Sequence, residues 1–196
     1  NIFVTAFQAM PNKGSENYVG FYIINTLINK GYNVHLYTPL LNQVEIRNYF
    51  QDNLPKNLFF PKLKDTSMLK IFEPDPLRYS QYISNFFWEI NVKTYLKYND
   101  FEYDLYYHIN PSSWWAYNGM VNNAYPVLIG PVMGYRFPRK GLWGYLKFKS
   151  FIFELIRLLI LKSPYALFNR RKIIKSSSNV LIDGEKNIFN IDQYTN

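Results

Sequence analysis

Blocks of apolar residues alternate with polar stretches along this chain, and their periods predict strands separated by helices. Residues 2–7 are a short, largely apolar, β-prone run of the kind that a parallel sheet buries on both faces. Turn residues occupy 11–14, and Gly31 ends the following amphipathic stretch before a second β-prone run at 33–37. A strand–helix–strand unit this compact predicts a right-handed parallel crossover.

The helix between these two strands is predicted to begin at Ser15 and Glu16. We expect the Ser15 hydroxyl to accept hydrogen bonds from free backbone N–H groups of the first turn. The side chains expected to pack this helix on the sheet recur at helical spacing: Val19, Tyr22, Ile23 and Leu27.

The same alternation continues along the chain and predicts a single α/β domain over 1–196, with a doubly wound parallel sheet of about six or seven strands. Pro61 places one strand at an edge, because proline cannot donate to a central ladder, and Gly130-Pro131 is expected to end another. The remaining strands are predicted at 57–63, 103–110, 125–129 and 179–182, and the remaining helices at 42–50, 77–98, 114–122, 141–161 and 164–175. The face expected to be buried on the long helix 77–98 is Tyr82, Phe86, Ile90, Val92, Tyr95 and Leu96.

The composition is that of a globular protein without disulfides. Hydrophobic residues make up 48% of the chain, and it has no cysteine, which excludes disulfides and thiolate metal ligands. No signal peptide precedes the first predicted strand, so we expect a cytoplasmic location.

The net charge of +8 is concentrated in one part of the chain. Residues 1–135 balance ten basic against ten acidic side chains, whereas residues 136–175 hold eleven basic side chains against Glu154 alone, a net +10. Such an asymmetry indicates a partner for the basic segment.

Three predicted loops lie at the carboxyl ends of strands, where open parallel sheets bind their ligands. They are residues 8–16, 110–115 and 130–138, and each carries Gly, Pro or small polar side chains. Each loop by itself is equally typical of a tight turn, but their convergence on one edge favours a cleft.

Several common sites are not indicated. The first loop has neither G-x-G-x-x-G nor G-x-x-x-x-G-K-[ST], which argues against a dinucleotide or P-loop site. His35 and His108 are the only histidines, and neither has a carboxylate cluster at ligand spacing, so we expect no metal.

Three stretches of the chain resemble the N-terminal half of family 4 GT-B glycosyltransferases: the Gly14-Ser15-Glu16 helix opening, the strand YDLYYHINP and the strand-plus-turn YPVLIGPVMG. Their order and spacing agree with the family over nearly the whole chain. The resemblance implies a Rossmann-like domain that forms one half of a GT-B fold. It also implies retaining transfer of a sugar from a nucleotide-sugar co-substrate, with no other cofactor, to a glycan or lipid-linked acceptor that this half mainly holds.

The resemblance carries over to individual residues. Gly14 corresponds to a glycine that lets the backbone approach the donor's phosphate and sugar. Ser15 and Glu16 correspond to the following pair, where helix N–H groups favour negative charge, although a plain capping pair is the alternative. His108 lies at or beside a family histidine that faces the cleft, which implies a catalytic-site contact with a sugar hydroxyl, and Asn110 follows two residues on. A structural histidine is the alternative for His108.

In the third loop, Gly130, Pro131 and Gly134 match the family's donor- and acceptor-binding element. Met133 and Tyr135 stand where glycines are common, and Arg136 stands about where an acidic residue is common. These departures imply a narrower or more cationic acceptor pocket.

The second half of the family's fold, which holds the paired glutamates and the nucleotide, would follow this chain. We therefore expect the 196 residues to be a domain with no transferase activity of its own, with an exposed cleft face that favours self-association. The alternative of another class is a non-catalytic Rossmann-like module that docks a partner protein through the same cleft.

The basic segment contains an apolar helical stretch, residues 142–161. Either its apolar stripe packs on the sheet, or it lies at an anionic membrane surface, peripheral at the inner face of the plasma membrane. The residues expected at that surface are Trp143, Lys147, Lys149 and Arg157. A nucleic-acid partner is disfavoured, because the aromatic residues are set among aliphatic ones and no recognisable nucleic-acid motif is present.

Overall fold

The computed structural model describes residues 1–61, 78–98, 103–110, 126–133, 144–145, 147–176 and 179–183. The strands are β1 Ile2–Ala6, β2 Val34–Tyr37, β3 Leu58–Phe59, β4 Leu105–Asn110, β5 Val127–Met133 and β6 Asn179–Asp183. The helices are α1 Glu16–Asn29, α2 Leu40–Phe50, α3 Arg78–Tyr98, α4 Phe148–Lys162 and α5 Pro164–Ser176, with a short 3-10 helix at Gln51–Asn53. The helix predicted at 114–122 lies outside the described residues.

The six strands form one parallel sheet in the order β3-β2-β1-β4-β5-β6. The chain builds outward from β1 in one direction, through β2 to β3, and then returns to add β4, β5 and β6 on the other side. This is a Rossmann-like, doubly wound α/β arrangement, and it confirms the predicted fold class. β3 is an edge strand, as Pro61 indicated, but has only two residues.

The face of the sheet that α1 and α2 cover has an aliphatic core. Phe21 and Ile24 of α1 and Ile46 of α2 pack there on strand residues that include Val4 and Leu36. These five side chains are buried. Burying a side chain of this size is worth roughly 1.5–3 kcal/mol, so this contact holds both helices on the sheet.

The opposite face of the sheet has an aromatic core. The Phe3 ring lies 5.1–6.1 Å, between centroids, from four tyrosine rings, which belong to β2, α3, the residues just before β4 and β4 itself: Tyr37, Tyr95, Tyr103 and Tyr106. Trp88 and Val92 bring α3 onto this face. Because β1 sends alternate side chains to both cores, it is the central strand of the fold.

The helical phase predicted for α1 is wrong by about one residue. Val19 and Tyr22 are 41% and 59% exposed, whereas Phe21, Ile24 and Ile28 are buried together with Gly20, the closest approach to the sheet edge. Ile23 and Leu27 pack only partly against the core. Apolar residues cover most of the circumference of this helix, so their period alone does not decide which side faces the sheet.

The face predicted for α3 is also partly wrong. Phe86 and Ile90 are exposed, and the buried side consists of Ser84, Asn85, Trp88, Glu89 and Val92. Tyr95 and Leu96 pack against the aromatic core as predicted, and the side chain of Tyr82 lies outside the described part. A buried face that carries polar side chains is not visible to a hydrophobic pattern.

Gly130-Pro131 does not end β5, contrary to the prediction. The strand continues to Met133, and its pairing with β6 shifts from Ile129↔Val180 to Val132↔Ile182, so one extra residue of β5 is accommodated. Gly130 has φ 127°, a conformation that favours glycine, and the Gly130–Pro131 peptide is cis. A bulge next to a proline explains why the strand persists, because the proline occupies a position without a ladder donor.

Gly31 ends α1 in the way the sequence predicts, and we expect Gly31→Ala to destabilise the chain. The Gly31 N–H donates to Ile28 O and the Tyr32 N–H to Leu27 O, which is a Schellman cap, and Gly31 has φ +86°. Alanine in this conformation should lower the free energy of unfolding by about 1 kcal/mol in urea titrations. Gly144→Ala is the control, because a Cβ there meets nothing within 4 Å. Equal stability of both variants would contradict this assignment.

Candidate functional site

The candidate site lies at the carboxyl edge of the sheet, between β1 and β4. The strand order reverses there, since the chain leaves β1 toward β2 but later returns to place β4 on the other side. Crevices at such reversal points are where doubly wound sheets bind ligands. The loop that leaves β1, residues 7–15, therefore decides what this edge presents.

The main chain at the start of this loop is held on one side by side chains that follow β2 and on the other by the last side chain of β4. Thr38 Oγ1 donates to Ala6 O at 2.6 Å, and Asn42 Nδ2 donates to Phe7 O at 2.8 Å. On the other side, Asn110 Nδ2 donates to Gln8 O at 2.6 Å, and Gln8 N–H donates to Asn110 Oδ1 at 2.9 Å. Three consecutive carbonyls, Ala6 to Gln8, thus each receive a side-chain donor.

The donors on the β2 side form a network of their own. Asn42 Nδ2 also donates to Thr38 Oγ1 at 2.7 Å, and Gln43 Nε2 donates to Thr38 O at 3.0 Å. All three side chains are buried. Because the groups are buried and mutually bonded, the network fixes the exit of β1 in one conformation.

Gly20 of α1 packs against the same main-chain segment that these hydrogen bonds hold. A Cβ at this position would collide with the Gln8 carbonyl oxygen and would lie 2.9 Å from Asn110 Nδ2. The helix therefore packs directly on the main chain of Gln8 and on the amide that holds it. Asn110, predicted to bind donor or acceptor, has both amide atoms engaged in this contact.

Gly14 differs from Gly20, because no described residue packs closely enough to require a glycine there. A Cβ on Gly14 would meet nothing within 4 Å. The residue is exposed in the loop immediately before α1. Among the residues that the structure describes, none fills the space beside its backbone.

Ser15 does not cap α1 with its hydroxyl, and this prediction is wrong. Its side chain makes no capping hydrogen bond, and its backbone has φ 58° and ψ −130°. A capping serine has an extended backbone with negative φ, which Ser15 does not adopt. Such a conformation costs a non-glycine residue on the order of 1–3 kcal/mol and concentrates strain where the loop meets α1. Glu16 is the first residue of α1, as predicted, and is half-buried.

His108 lies beneath the edge, inside the aromatic core, rather than on the surface of a cleft. It is 2% exposed, and Thr5 Oγ1 lies 2.8 Å from its Nδ1. Glu89 Oε1 of α3 lies 3.4 Å from its Nε2. Thr5 and Glu89 are fully buried. The histidine thus connects β1, β4 and α3. This is the structural role that the sequence leaves as the alternative for His108.

Burial lowers the pKa of the His108 imidazole from 6.5 to about 3, so the ring is neutral at pH 7. The tautomer that uses both contacts accepts from the Thr5 hydroxyl at Nδ1 and carries its proton on Nε2, toward Glu89. This arrangement orients the imidazole without placing a positive charge in the core.

The remaining predicted site residues are only partly described. Gly130 and Pro131 lie in β5, at the bulge beside the end of β4. Lys147 and Lys149 are exposed at the start of α4, and the side chain of Arg157 lies outside the described part. Gly134, Arg136 and Trp143 also fall outside the described residues.

Sequence reasoning missed the side chains that shape this edge. Thr38, Asn42 and Gln43 follow a predicted strand as ordinary polar residues, and no pattern in the sequence pairs them with residues some 30 positions earlier. Two signals were present. Gly20 is an isolated glycine inside a helical pattern, which indicates a close packing contact, and Glu89 is a carboxylate amid aromatic residues on an otherwise buried turn.

No protein-family model, no curated protein and no solved structure matches this chain. Within the described ranges, no group of three or more His, Cys, Asp or Glu side chains is placed to hold a metal ion. None of the helices in the same part of the chain has the length and apolar content needed to cross a bilayer.

We expect Gly20→Ala to destabilise the fold and Gly14→Ala to leave it unchanged. Alanine is favoured over glycine in a helix by about 1 kcal/mol, but at position 20 its Cβ must displace a main-chain carbonyl, which costs roughly 1–3 kcal/mol or more. The net result should be a lower midpoint of urea unfolding for the Gly20 variant. Gly14→Ala should unfold within about 0.5 kcal/mol of wild type. A Gly20 variant as stable as wild type would contradict the packing described here.

The buried, neutral His108 predicts a loss of stability in mild acid. In the unfolded chain the imidazole of His108 binds a proton at about pH 6.5, whereas in the folded chain it does so only at about pH 3. The contribution of this group to stability is therefore fully present above pH 6.5 and falls as the pH decreases. Between pH 7.5 and 5.5 this one group should remove about 1.4 kcal/mol from the free energy of unfolding.

The measurement is urea unfolding across this pH window for wild type, His108→Gln and His35→Gln. The His108 variant is expected to be less stable but to lose most of this pH dependence. His35 is only partly buried, so its variant should retain it. An unchanged pH dependence in the His108 variant would refute the assignment.

Proposed function

We propose that this chain is the acceptor-side domain of a retaining, hexosyltransferase-like glycosyltransferase of the GT-B type. In this proposal a second domain binds the nucleotide-sugar, and a glycan or lipid-linked acceptor lies against the carboxyl edge of the sheet described above. The 196 residues alone have no transferase activity.

The observation that carries the proposal is the contrast between Gly20 and Gly14. The fold needs Gly20, because a Cβ there meets the main chain, whereas a Cβ on Gly14 would meet none of the described residues within 4 Å. A glycine that packing does not explain, on a loop whose root is fixed by hydrogen bonds, is what close approach of a ligand to the backbone would require.

The position of Gly14 supports the same conclusion. It precedes the N-terminus of α1 at the point where the strand order reverses, and main-chain N–H groups at helix N-termini favour phosphate and other anions. The strain at Ser15 falls in the same turn, where a backbone conformation held against its preference is typical of a binding loop.

Asn110 and His108 act in this proposal as positioning residues. Asn110 holds Gln8 at the root of the loop, and His108 fixes the end of β4 from inside the core. Neither has to touch a sugar to influence turnover, because a displaced binding loop is itself costly to a transfer reaction.

The experiment uses the complete natural polypeptide, purified from its source cells and also expressed with Gly14→Val. We expect a species of roughly twice the mass of this chain, since a second domain of similar size holds the nucleotide. It should turn over one member of a nucleotide-sugar panel, and Gly14→Val should lower kcat/KM about tenfold or more.

Gly144→Val is the matched control, because that position is also exposed and a Cβ there has nothing within 4 Å. Equal losses in the two variants, or no turnover by the complete polypeptide, would overturn the proposal. A native species near 23.4 kDa that binds a partner protein through the edge would favour the non-catalytic module instead.

A further inference from the structure

Helix α4 presents an apolar stripe to solvent. Its members recur at the i, i+3, i+4, i+7, i+8 and i+11 spacing that normally faces a protein core. Neither core cluster of the described structure includes any of them. The stripe consists of six side chains, each at least 37% exposed: Phe148, Phe151, Ile152, Leu155, Ile156 and Leu159.

The exposure argues against one of the two interpretations of the basic helical segment, in which its apolar stripe packs on the sheet. A helix that packed its stripe on the sheet would bury these residues, but Phe148 is 77% and Leu159 is 66% exposed. The following helix, α5, contacts α4 and adds exposed aromatic side chains at Tyr165 and Phe168. Tyr145 precedes the stripe and is 85% exposed.

Cations border the stripe. Lys147 and Lys149 are exposed where α4 begins, and Lys162 is exposed where it ends. At 3.6 residues per turn, Lys149 lies at the edge of the stripe, at nearly the same angle about the helix axis as Ile156 two turns later. Lys162 follows Leu159 by three residues and lies at the end of the stripe itself. Over residues 147–176 the sequence has eight basic side chains against the single carboxylate of Glu154.

We propose that α4 lies flat in the interface of an anionic lipid bilayer, with the stripe among the acyl chains and the bordering cations at lipid phosphates. An apolar stripe with cations on the polar side is the pattern of interfacial helices. Its 15 residues span about 22 Å, less than the roughly 30 Å of a hydrocarbon core, which agrees with a helix in the membrane plane.

Charge complementarity favours lipid over a second copy of the chain. Two copies joined through α4 would bring two segments of the same positive sign together, and like charges across an interface oppose association. An anionic surface instead gains about 1 kcal/mol for each cation that approaches it. The inference goes beyond the transferase proposal and does not depend on it.

The test is flotation of the 196-residue chain with large unilamellar vesicles. We expect binding to vesicles with roughly one third phosphatidylglycerol, no binding to pure phosphatidylcholine, and a loss of binding as NaCl rises from about 0.05 to 0.5 M. Phe148→Gln with Leu159→Gln should weaken binding about tenfold or more, because two exposed side chains no longer enter the apolar layer.

Matched variants separate the stripe from general surface effects. Leu40→Gln with Tyr22→Gln changes two side chains of similar exposure on α2 and α1 and should bind normally. Lys147→Gln with Lys149→Gln should weaken binding about 25-fold, which is about 1 kcal/mol per cation. Lys93→Gln with Lys97→Gln, on exposed positions of α3, should have little effect.

Three outcomes would overturn the inference: equal binding to both lipid compositions, binding that salt does not weaken, or no binding. Sedimentation velocity on the same samples tests whether a second copy of the chain, rather than lipid, covers the stripe. A concentration-dependent dimer that the Phe148 and Leu159 substitutions abolish, without vesicle binding, would assign the stripe to an interface between copies. Circular dichroism of each variant verifies that these exposed substitutions leave the fold intact.

Discussion

The constraint on which the candidate site depends is the need to satisfy the carbonyls of Ala6, Phe7 and Gln8 as the chain leaves the central strand. Ala6 is the last residue of β1 and is buried, whereas Phe7 and Gln8 lie beyond the strand and are half-buried. A buried carbonyl without a donor costs about 1–3 kcal/mol. Thr38 and Asn42 on one side and Asn110 on the other supply the donors. The exit of β1 is therefore tied to the ends of both neighbouring strands, and the candidate edge takes its shape from all three.

Much of this architecture is predictable from the sequence because it depends on local chemistry. Short β-prone runs predicted the strands, Gly31 predicted the end of α1, and the alternation of strands and helices predicted the doubly wound sheet. The phases of α1 and α3 were not predictable in the same way, since apolar side chains surround the first helix and polar ones share the buried face of the second.

The hydrogen bonds at the site could not be predicted from the sequence, for a different reason. Asn110 and Gln8 are 102 residues apart, and Thr38 and Ala6 are 32 apart. No local pattern states which carbonyl a polar side chain will meet. The two glycines show a related limit: the helical pattern around Gly20 indicates a close contact, but only the structure shows that this contact is with the main chain of Gln8 and that no described residue crowds Gly14.

The contacts of Gln8 with Asn110 and Gly20 have a consequence for how this edge can change over evolution. Two contacts anchor the loop, the amide of Asn110 and the close packing of Gly20, and both act on Gln8 at its root. Ala9 and Pro11 are buried beyond this point, but residues 12–15 are exposed, so insertions or new side chains at 12–15 would alter the recognised molecule while the sheet keeps its register. The residues that select the ligand could therefore change while the scaffold stays the same. Asn110 and Gly20 are the residues that descendants of this chain would have to retain.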